Sequence, residues 1–276
     1  MTPIKIMVNG MPGKVATIIA HHFLKDNRFE LIRHSLTGPE ILFPDYRLDT
    51  AAIGLLTPAN REDGIDKIKA SEGSFITVDF TLPMAVNENA AFYCKHSLPF
   101  VMGTTGGDRV KLENTVQSSS TCAVIAPNMA KQIVGFQAMM EYAASNYPGL
   151  FEGYHLEIKE SHQQTKVDTS GTAKAMVKYF NQLGLKFSEN EIIKIRDPKI
   201  QQQELGIPEQ YLGGHGWHTY TLTSADGTAQ FAFTHNINGR DIYSYGTMDA
   251  VLFLCKKIAA GEKAKVFSML DVLKGA

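Results

Sequence analysis

The chain has 276 residues, of which 44% are hydrophobic and 20% are charged. This composition is typical of a globular protein of one large or two modest domains, and it excludes a disordered polar chain. A formal net charge of −1 gives no support for binding nucleic acid mainly through its phosphates, because that mode requires a basic excess. No apolar run approaches the ~18 residues of a membrane span. We therefore expect neither a nucleic-acid partner nor a membrane.

The cysteines are few and far apart. Cys94, Cys122 and Cys255 form no C-x-x-C pair and show no metal-ligand spacing. An odd, sparse set of this kind indicates reduced thiols in a reducing compartment, and no metal site is predicted. The first ten residues also lack the features of a secretory signal. We expect a cytoplasmic protein, or a plastid protein if a transit peptide has been removed.

The first 126 residues alternate between short apolar segments and helix-like segments. The predicted strands are 4–8, 29–35, 51–56, 75–80, 99–103 and 122–126, and the predicted helices are 15–24, 84–95 and 109–118. Strands that are apolar throughout, rather than at alternate positions, favour a parallel sheet buried on both faces. This part of the chain therefore predicts an α/β, Rossmann-like, doubly wound domain that binds a dinucleotide.

The pattern changes after Pro127-Asn128, which we take as the domain boundary. The strand predicted at 153–161 alternates between apolar and polar residues, so one of its faces is solvated and its sheet is antiparallel or mixed. This part of the chain predicts a smaller α+β domain. The other predicted elements are helices at 133–146, 173–183 and 247–259 and strands at 191–196, 215–223 and 230–237.

A glycine-containing turn follows the first predicted strand and opens the first helix. Its G-x-x-G-x-x-A spacing allows a tight turn and a close approach to a pyrophosphate, although an ordinary βα turn would look similar. The segment after the second strand, 31–37, has no carboxylate but contains Arg33 and His34, which suits a ribose 2′-phosphate. These two residues would equally suit a solvated surface. The predicted coenzyme residues here are Gly10, Met11, Pro12, Gly13, Lys14 and Val15.

Three further loops follow later strands of the same predicted sheet. Ligands of open parallel sheets bind beyond the carboxyl ends of the strands, which is where these loops lie. The glycines and threonines in them are also ordinary turn residues. The additional coenzyme candidates are Asp79, Phe80, Thr81, Gly103, Thr104, Thr105, Ala126, Pro127, Asn128 and Met129.

The densest group of reactive residues lies at 160–173. His162 leaves a predicted strand, Lys166 follows four residues later, and a Thr-Ser-Gly-Thr turn opens a helix. Histidine titrates near neutrality, lysine supplies a positive charge or a second proton, and free N–H groups at a helix start bind anions. Thr169 or Ser170 is the expected N-cap. This combination predicts proton transfer next to a bound anion.

The same segment carries a resemblance to a known family. S-H-Q-x-x-K-V-D-T-S-G-T-A resembles the signature of 4-hydroxy-tetrahydrodipicolinate (dihydrodipicolinate) reductases, and V-D-F-T-x-P, P-F-V-x-G-T-T-G-G-D and A-P-N-M occur in that family's order. Gln163, where bacterial members commonly have a second histidine, and the absence of a proline before Ser170 are most similar to the plant-type branch. The resemblance covers nearly the whole chain.

The resemblance implies a function and roles for particular residues. NAD(P)H would reduce the cyclic dicarboxylate 4-hydroxy-tetrahydrodipicolinate to tetrahydrodipicolinate in lysine and diaminopimelate biosynthesis, with His162 and Lys166 as proton donors. NADPH is the expected coenzyme, and NADH is also possible. Residues 1–128 would bind the coenzyme and 129–244 the substrate, while 245–276 would return to the coenzyme domain. The implied substrate contacts are Gln163, Ser170, Gly171 and Thr172.

Other interpretations stay open at this point. One is a different two-domain NAD(P)-dependent dehydrogenase, and another is a non-catalytic nucleotide sensor on the same fold, because a fold alone does not determine function. His235 and Arg240 are candidates either for a substrate carboxylate or for structural hydrogen bonds, and His215 and His218 are unassigned. We expect a homo-oligomer, a dimer or a tetramer.

Overall fold

A computed structural model describes residues 2–275 of the chain. The Cα positions divide it into two compact units. The first consists of residues 1–134 and 241–276, and the second of Gly135–Arg240. Within the described residues, no helix is long and apolar enough to cross a membrane.

The strands fall into three sheets. In chain order they are β1 (Ile4–Asn9), β2 (Phe29–Leu31), β3 (His34–Leu36), β4 (Asp45–Leu48), β5 (Ala51–Leu56), β6 (Ile76–Asp79), β7 (Phe100–Met102), β8 (Ala123–Ile125), β9 (His155–His162), β10 (Ile193–Ile195), β11 (His215–Thr223), β12 (Gln230–Asn238) and β13 (Val266–Phe267).

The helices connect these strands. They are α1 (Lys14–Lys25), α2 (Arg61–Glu72), α3 (Val86–Lys95), α4 (Arg109–Gln117), α5 (Lys131–Asn146), α6 (Gly171–Gln182), α7 (Pro198–Gln203), α8 (Asp241–Ala259) and α9 (Met269–Lys274). The predicted last helix therefore begins six residues earlier than expected. The predicted boundary at 128 lies just before α5, whereas the division between the compact units falls within α5. The assignment of separate functions to the domains stays a prediction.

The first unit contains the predicted doubly wound parallel sheet. Its strand order is β13-β8-β7-β6-β1-β2, and all of its pairs are parallel. Successive residues of β1 point to opposite faces, so Ile6 and Val8 join one apolar cluster and Met7 joins another. Both faces of the sheet are therefore buried, which explains why these strands are apolar throughout.

Two details of the predicted sheet were wrong. The segment 29–35 forms two strands because the chain leaves β1 after Ile32, and β3 then pairs with β5. Consequently β5 lies in a separate three-stranded sheet with β3 and β4, and β13 is the sixth strand of the parallel sheet. The burial of β5 alternates, with Ala52 exposed, as in a strand with one solvated face.

The second unit contains the predicted mixed sheet. Its order is β10-β9-β11-β12, with β9 and β10 parallel and the other pairs antiparallel. Ile158 and Tyr220 on one face pack against Phe180 of α6. The same register places Glu160, His218 and His235 opposite one another on three adjacent strands. A row of titratable groups thus crosses the buried face of this sheet.

Candidate active site

The loop between β1 and α1 has the geometry of an anion site. Gly10 has a φ of +107°, and a Cβ there would overlap the carbonyl of Phe80. Only glycine permits both this backbone conformation and this close approach. Gly13 is the N-cap of α1 and has no side chain with which to cap the helix. The first N–H groups of the helix are therefore free to bind an anion.

The loops after β6 and β7 meet this first loop. The ring of Phe80 lies where a Cβ of Gly103 would be, just as its carbonyl lies against Gly10. At the end of β8, the N–H of Ala126 donates to the carbonyl of Met102. The predicted coenzyme residues therefore lie along one edge of the parallel sheet, at the carboxyl ends of β1, β6, β7 and β8.

Several of these predicted residues do not expose their side chains at that edge. Met11 and Met129 are buried in the apolar core. Asp79 has no exposed surface, and the hydroxyl of Thr104 donates to its carboxylate over 2.7 Å. Thr105 and Pro127 are exposed. The side chains of these four buried residues therefore face the interior of the unit rather than the solvent.

A carboxylate that sequence reasoning missed lies beyond the end of β3. Leu36 binds the first loop, because its carbonyl accepts from the N–H of Gly10. Gly38 follows Leu36 by two residues, and the carboxylate of Glu40 lies beside it. A Cβ on Gly38 would overlap that carboxylate. In dinucleotide-binding folds, a carboxylate after the second strand commonly accepts a hydrogen bond from the ribose 2′-hydroxyl. Arg33, the positive candidate, is exposed.

His162 ends β9 in the second unit and has one nitrogen free. Its Nδ1 donates to the carbonyl of His215 over 3.0 Å, and because a carbonyl only accepts, Nδ1 carries the hydrogen. Nε2 is buried and has no partner among the described residues. Gly216 on the paired strand leaves space for the ring, since a Cβ would lie 3.1 Å from Cε1 of His162. Gln201 donates to the carbonyl of His162 over 2.7 Å.

Burial determines the charge of the His162 ring. It lowers the pKa of His162 to about 4, and the positive charges of Arg196 and Lys166 act in the same direction. The carboxylate of Glu160 and the bond to the carbonyl of His215 oppose this shift. The resting ring is therefore neutral at pH 7, with a lone pair on the unpartnered Nε2.

An ion pair holds the loop that follows His162. The buried carboxylate of Glu160 accepts from Arg196 over 2.6 Å and from the backbone N–H of Ser170 over 2.9 Å. Arg196 also donates to the carbonyl of Lys166 over 2.8 Å. Glu160 and Arg196 were not predicted as functional, although both lie at the ends of predicted strands. They connect the strand, the loop and the start of α6.

Lys166 is positioned by a turn and by a carboxylate. Its N–H donates to the carbonyl of Gln163, and its ammonium group binds both oxygens of Asp168 at 2.8 and 2.9 Å. The bond from Lys166 lowers the pKa of Asp168. The side chain of Lys166 is about one-fifth exposed, so it remains accessible to a ligand.

The start of α6 lies at the predicted turn, with one of the two expected N-cap residues in place. Ser170 is the N-cap, and its side chain makes no capping hydrogen bond. Its backbone N–H donates to Glu160. Gly171 is exposed and Thr172 is partly exposed in the first turn. The free N–H groups of this twelve-residue helix therefore remain available to a carboxylate.

Two further histidines lie on the same face of the sheet as His162. His218 packs edge-on against its ring at 5.1 Å between centroids and stacks on His235 at 4.6 Å. Burial lowers the pKa of His218 to about 2 and that of His235 to about 4. Glu160, His162 and His218 have ligand atoms within 4.8 Å of one another. Both Glu160 oxygens already accept hydrogen bonds, one from Arg196 and the other from the N–H of Ser170.

Comparisons with known proteins identify the family to which this chain is similar. A family model described as the N-terminus of dihydrodipicolinate reductase matches residues 4–129, and the model of its C-terminus matches residues 133–273. A probable 4-hydroxy-tetrahydrodipicolinate reductase 1, chloroplastic, of Oryza sativa subsp. japonica is 45% identical over 98% of this chain and 78% of its own length. The chloroplastic 4-hydroxy-tetrahydrodipicolinate reductase 2 of Arabidopsis thaliana is 43% identical over 98% and 77%.

More distant relatives cover the chain equally well. The 4-hydroxy-tetrahydrodipicolinate reductase of Janthinobacterium sp. (strain Marseille) is 27% identical over 99% of both chains. A dipicolinate-bound dihydrodipicolinate reductase from Paenisporosarcina sp. TG-14 shares the fold, with a TM-score of 0.66 at 16% identity over 96% of this chain and 97% of its own. The two family models together span nearly the whole sequence, and the chain therefore belongs to the dihydrodipicolinate reductase family of oxidoreductases.

Proposed function

We propose that this chain reduces 4-hydroxy-tetrahydrodipicolinate to tetrahydrodipicolinate, with NADPH used at least as well as NADH and with His162 and Lys166 as the proton-transferring groups. The reaction delivers a hydride to carbon 4 of the ring, consumes one proton and releases the 4-hydroxyl group as water. The observation that carries this proposal is the free, buried Nε2 of His162, which lies in the same unit as Lys166 and the open helix start at Gly171 and Thr172.

The neutral resting state of His162 suits this role. A bound dianion brings negative charge to a ring whose pKa is held low by burial, and it therefore favours uptake of a proton at Nε2. The ring can then return that proton as electron density builds on the substrate. Glu160 supports the charged ring, because its carboxylate raises the pKa of His162.

The substrate carboxylates have several candidate partners. Lys166 supplies a positive charge, and the backbone N–H groups of Gly171 and Thr172 supply donors at the positive end of the helix. Gln163 begins the turn that positions Lys166, and we propose that its amide contacts the substrate where related chains have a second histidine. Ser170 helps to place the start of α6, because its backbone N–H donates to Glu160; its side chain does not cap the helix.

The first unit has the features that a dinucleotide requires. Glycines at 10, 13 and 103 let the loops at this edge pack closely against one another, and the start of α1 has no side-chain cap. When bound, the coenzyme supplies the hydride. The N–H groups at the start of α1 would hold its pyrophosphate, and the backbone of the loops after β6, β7 and β8 would line the nicotinamide side.

The coenzyme preference rests on two opposing groups. Exposed Arg33 favours a 2′-phosphate, whereas the carboxylate of Glu40 favours a free ribose hydroxyl. We propose a preference for NADPH because the exposed Arg33 is accessible to a phosphate. A kcat/KM ratio that favours NADH by tenfold or more, about 1.4 kcal/mol in transition-state binding, would contradict it.

Assembly and location are further proposals. We propose a homo-oligomer, a dimer or a tetramer, because β12 is an exposed edge strand and its Phe231 is 46% exposed. Light scattering of the purified protein that gives a monomer mass would contradict this. The unpaired cysteines support a reducing compartment, the cytoplasm or a plastid, which cell fractionation can test.

The decisive experiment follows NADPH oxidation when the product of dihydrodipicolinate synthase is supplied. We expect turnover in the wild type and a loss of roughly 10²–10⁴-fold in kcat for His162→Ala, the usual range for one general acid. Lys166→Ala should lower kcat and raise the substrate KM. Lys166→Arg should restore much of the binding and little of the turnover, because guanidinium does not release a proton near neutrality.

Each alternative gives a different result. Turnover of His162→Ala within about threefold of wild type would exclude His162 as the acid. A wild-type protein that binds NADPH without oxidising it would be a nucleotide sensor. Unchanged NADPH binding in the three variants is the internal control, since these residues belong to the second unit.

A further inference from the structure

A buried hydrogen-bond network lies beneath the coenzyme edge of the parallel sheet. At its centre is the carboxylate of Asp79, the last residue of β6, which has no exposed surface. Five donors bond to its two oxygens at distances of 2.7–3.0 Å. They are the backbone N–H and hydroxyl of Thr81, the hydroxyl of Thr104, the amide of Asn89 and the hydroxyl of Tyr93.

Tyr93 extends this network to the end of β1. Its hydroxyl donates to Asp79 over 2.7 Å and accepts from the side-chain amide of Asn9 over 2.9 Å. The oxygen of the Asn9 amide accepts from the N–H of Leu36 over 2.9 Å. Asn9 immediately precedes Gly10, and Leu36 ends β3. The network therefore joins the ends of β1, β3 and β6 to the loop after β7, which contains Thr104.

The donors within this network are all neutral. Among the described residues, no lysine or arginine bonds to the carboxylate of Asp79, which accepts only from these neutral donors; Arg61 donates to Asn89 over 3.1 Å and not to Asp79 itself. Burial and the adjacent Asp79 raise the pKa of Tyr93 well above its usual value, so its hydroxyl keeps the proton that it donates. A fully satisfied buried network of this kind restricts the loops it connects.

We infer that Asn9, Asp79 and Tyr93 are positioning residues that hold the coenzyme-binding loops in place, and that the carboxylate of Asp79 makes no contact with the coenzyme. This inference rests on the proposed function, because it assumes that the edge of the sheet binds NAD(P)H. Asp79, predicted from the sequence to bind the coenzyme, would thus position the coenzyme-binding loops instead. Asn9 and Tyr93 join it in this role, and their side chains carry no motif that sequence reasoning recognises.

Tyr93→Phe tests the inference with the smallest change. The variant keeps the ring in the apolar cluster that it shares with Phe100 and removes only the hydroxyl that joins Asn9 to Asp79. Because the loops would be held less tightly, we expect the Kd of NADPH, measured from its own fluorescence, to rise at least fivefold. The kcat and substrate KM at saturating NADPH should stay within twofold of wild type. Thr104→Val, which removes a donor to the other oxygen, should act in the same direction.

A matched control separates positioning from general stability. Ile65 of α2 is fully buried in the same apolar cluster but takes no part in the network. Ile65→Val should lower the Tm without changing the Kd of NADPH. The inference is overturned if Tyr93→Phe binds NADPH within twofold of wild type, or if Ile65→Val raises the Kd equally. If the wild type binds neither NADPH nor NADH, the proposed function fails as well, so the two failures are distinguishable.

Discussion

Mild acid should destabilise the second unit, because one buried and two half-buried histidines are held there in the neutral form. Burial lowers the pKa of His162 and His235 to about 4 and that of His218 to about 2. In the unfolded chain a histidine titrates near 6.5. The unfolded state therefore binds more protons than the folded state below pH 6.5, and stability is lost as the pH falls from there towards the folded pKa values.

The magnitude follows from these values. Between pH 7 and pH 5, each histidine that stays neutral in the folded state lowers the free energy of unfolding by ~2 kcal/mol. Because His162 and His235 are partly exposed, their share is smaller, and we expect a total loss of ~4 kcal/mol. This is a large part of a typical stability of about 5–15 kcal/mol. Carboxylates contribute little in this window, since their unfolded pKa values lie near 4.

Urea unfolding followed by tryptophan fluorescence can measure this loss. Trp217 is the single tryptophan and lies in β11 next to His218, so its emission reports on the second unit. His218→Gln removes a group whose ring nitrogens have no hydrogen-bond partner among the described residues. The variant should lose ~2 kcal/mol less than wild type between pH 7 and pH 5. His155→Gln, at an exposed position of β9, is the control and should behave like wild type.

Two results would refute the reasoning. One is a wild-type free energy of unfolding that changes by less than about 1 kcal/mol between pH 7 and pH 5. The other is a His218→Gln variant whose pH dependence equals that of the wild type, which would mean that His218 is not held neutral by burial.

Three further substitutions test the two parts of the site. Thr172→Val removes one hydroxyl from the start of α6 and should raise the substrate KM more than it lowers kcat; a weaker NADPH affinity with unchanged substrate KM would contradict this. Gly103→Ala places a methyl group against the ring of Phe80. It should lower the stability measured by thermal unfolding by about 1–3 kcal/mol and raise the Kd of NADPH. An unchanged Tm and an unchanged Kd would show that the ring moves aside freely. Glu40→Gln removes the carboxylate beside Gly38 and should raise the ratio of kcat/KM for NADPH to that for NADH; an unchanged ratio would show that Glu40 does not contact the ribose.

The two main sheets and the start of α6 could be predicted from local sequence patterns. Apolar strands alternating with helices predicted the parallel sheet, and the alternating strand at 153–161 predicted the mixed sheet. The spacing of His162, Lys166 and the turn at 169–172 predicted an anion site at a helix start, and the helix begins there. These features depend on neighbours within a few residues, so the periodicity and the turn residues of one segment are sufficient to predict them.

What the sequence by itself determined is therefore the fold class, the family and the loops that carry the candidate chemistry. Only the tertiary structure decided how those loops are held. The bond from Tyr93 to Asp79 spans 14 residues, that from Asn9 to Tyr93 spans 84, and that from Arg196 to Glu160 spans 36. Such partners have no fixed spacing, because they meet only after strands distant in the sequence have paired. Burial then turns Asp79 inward and keeps His162 neutral, and burial is a property of the packed chain rather than of any one segment.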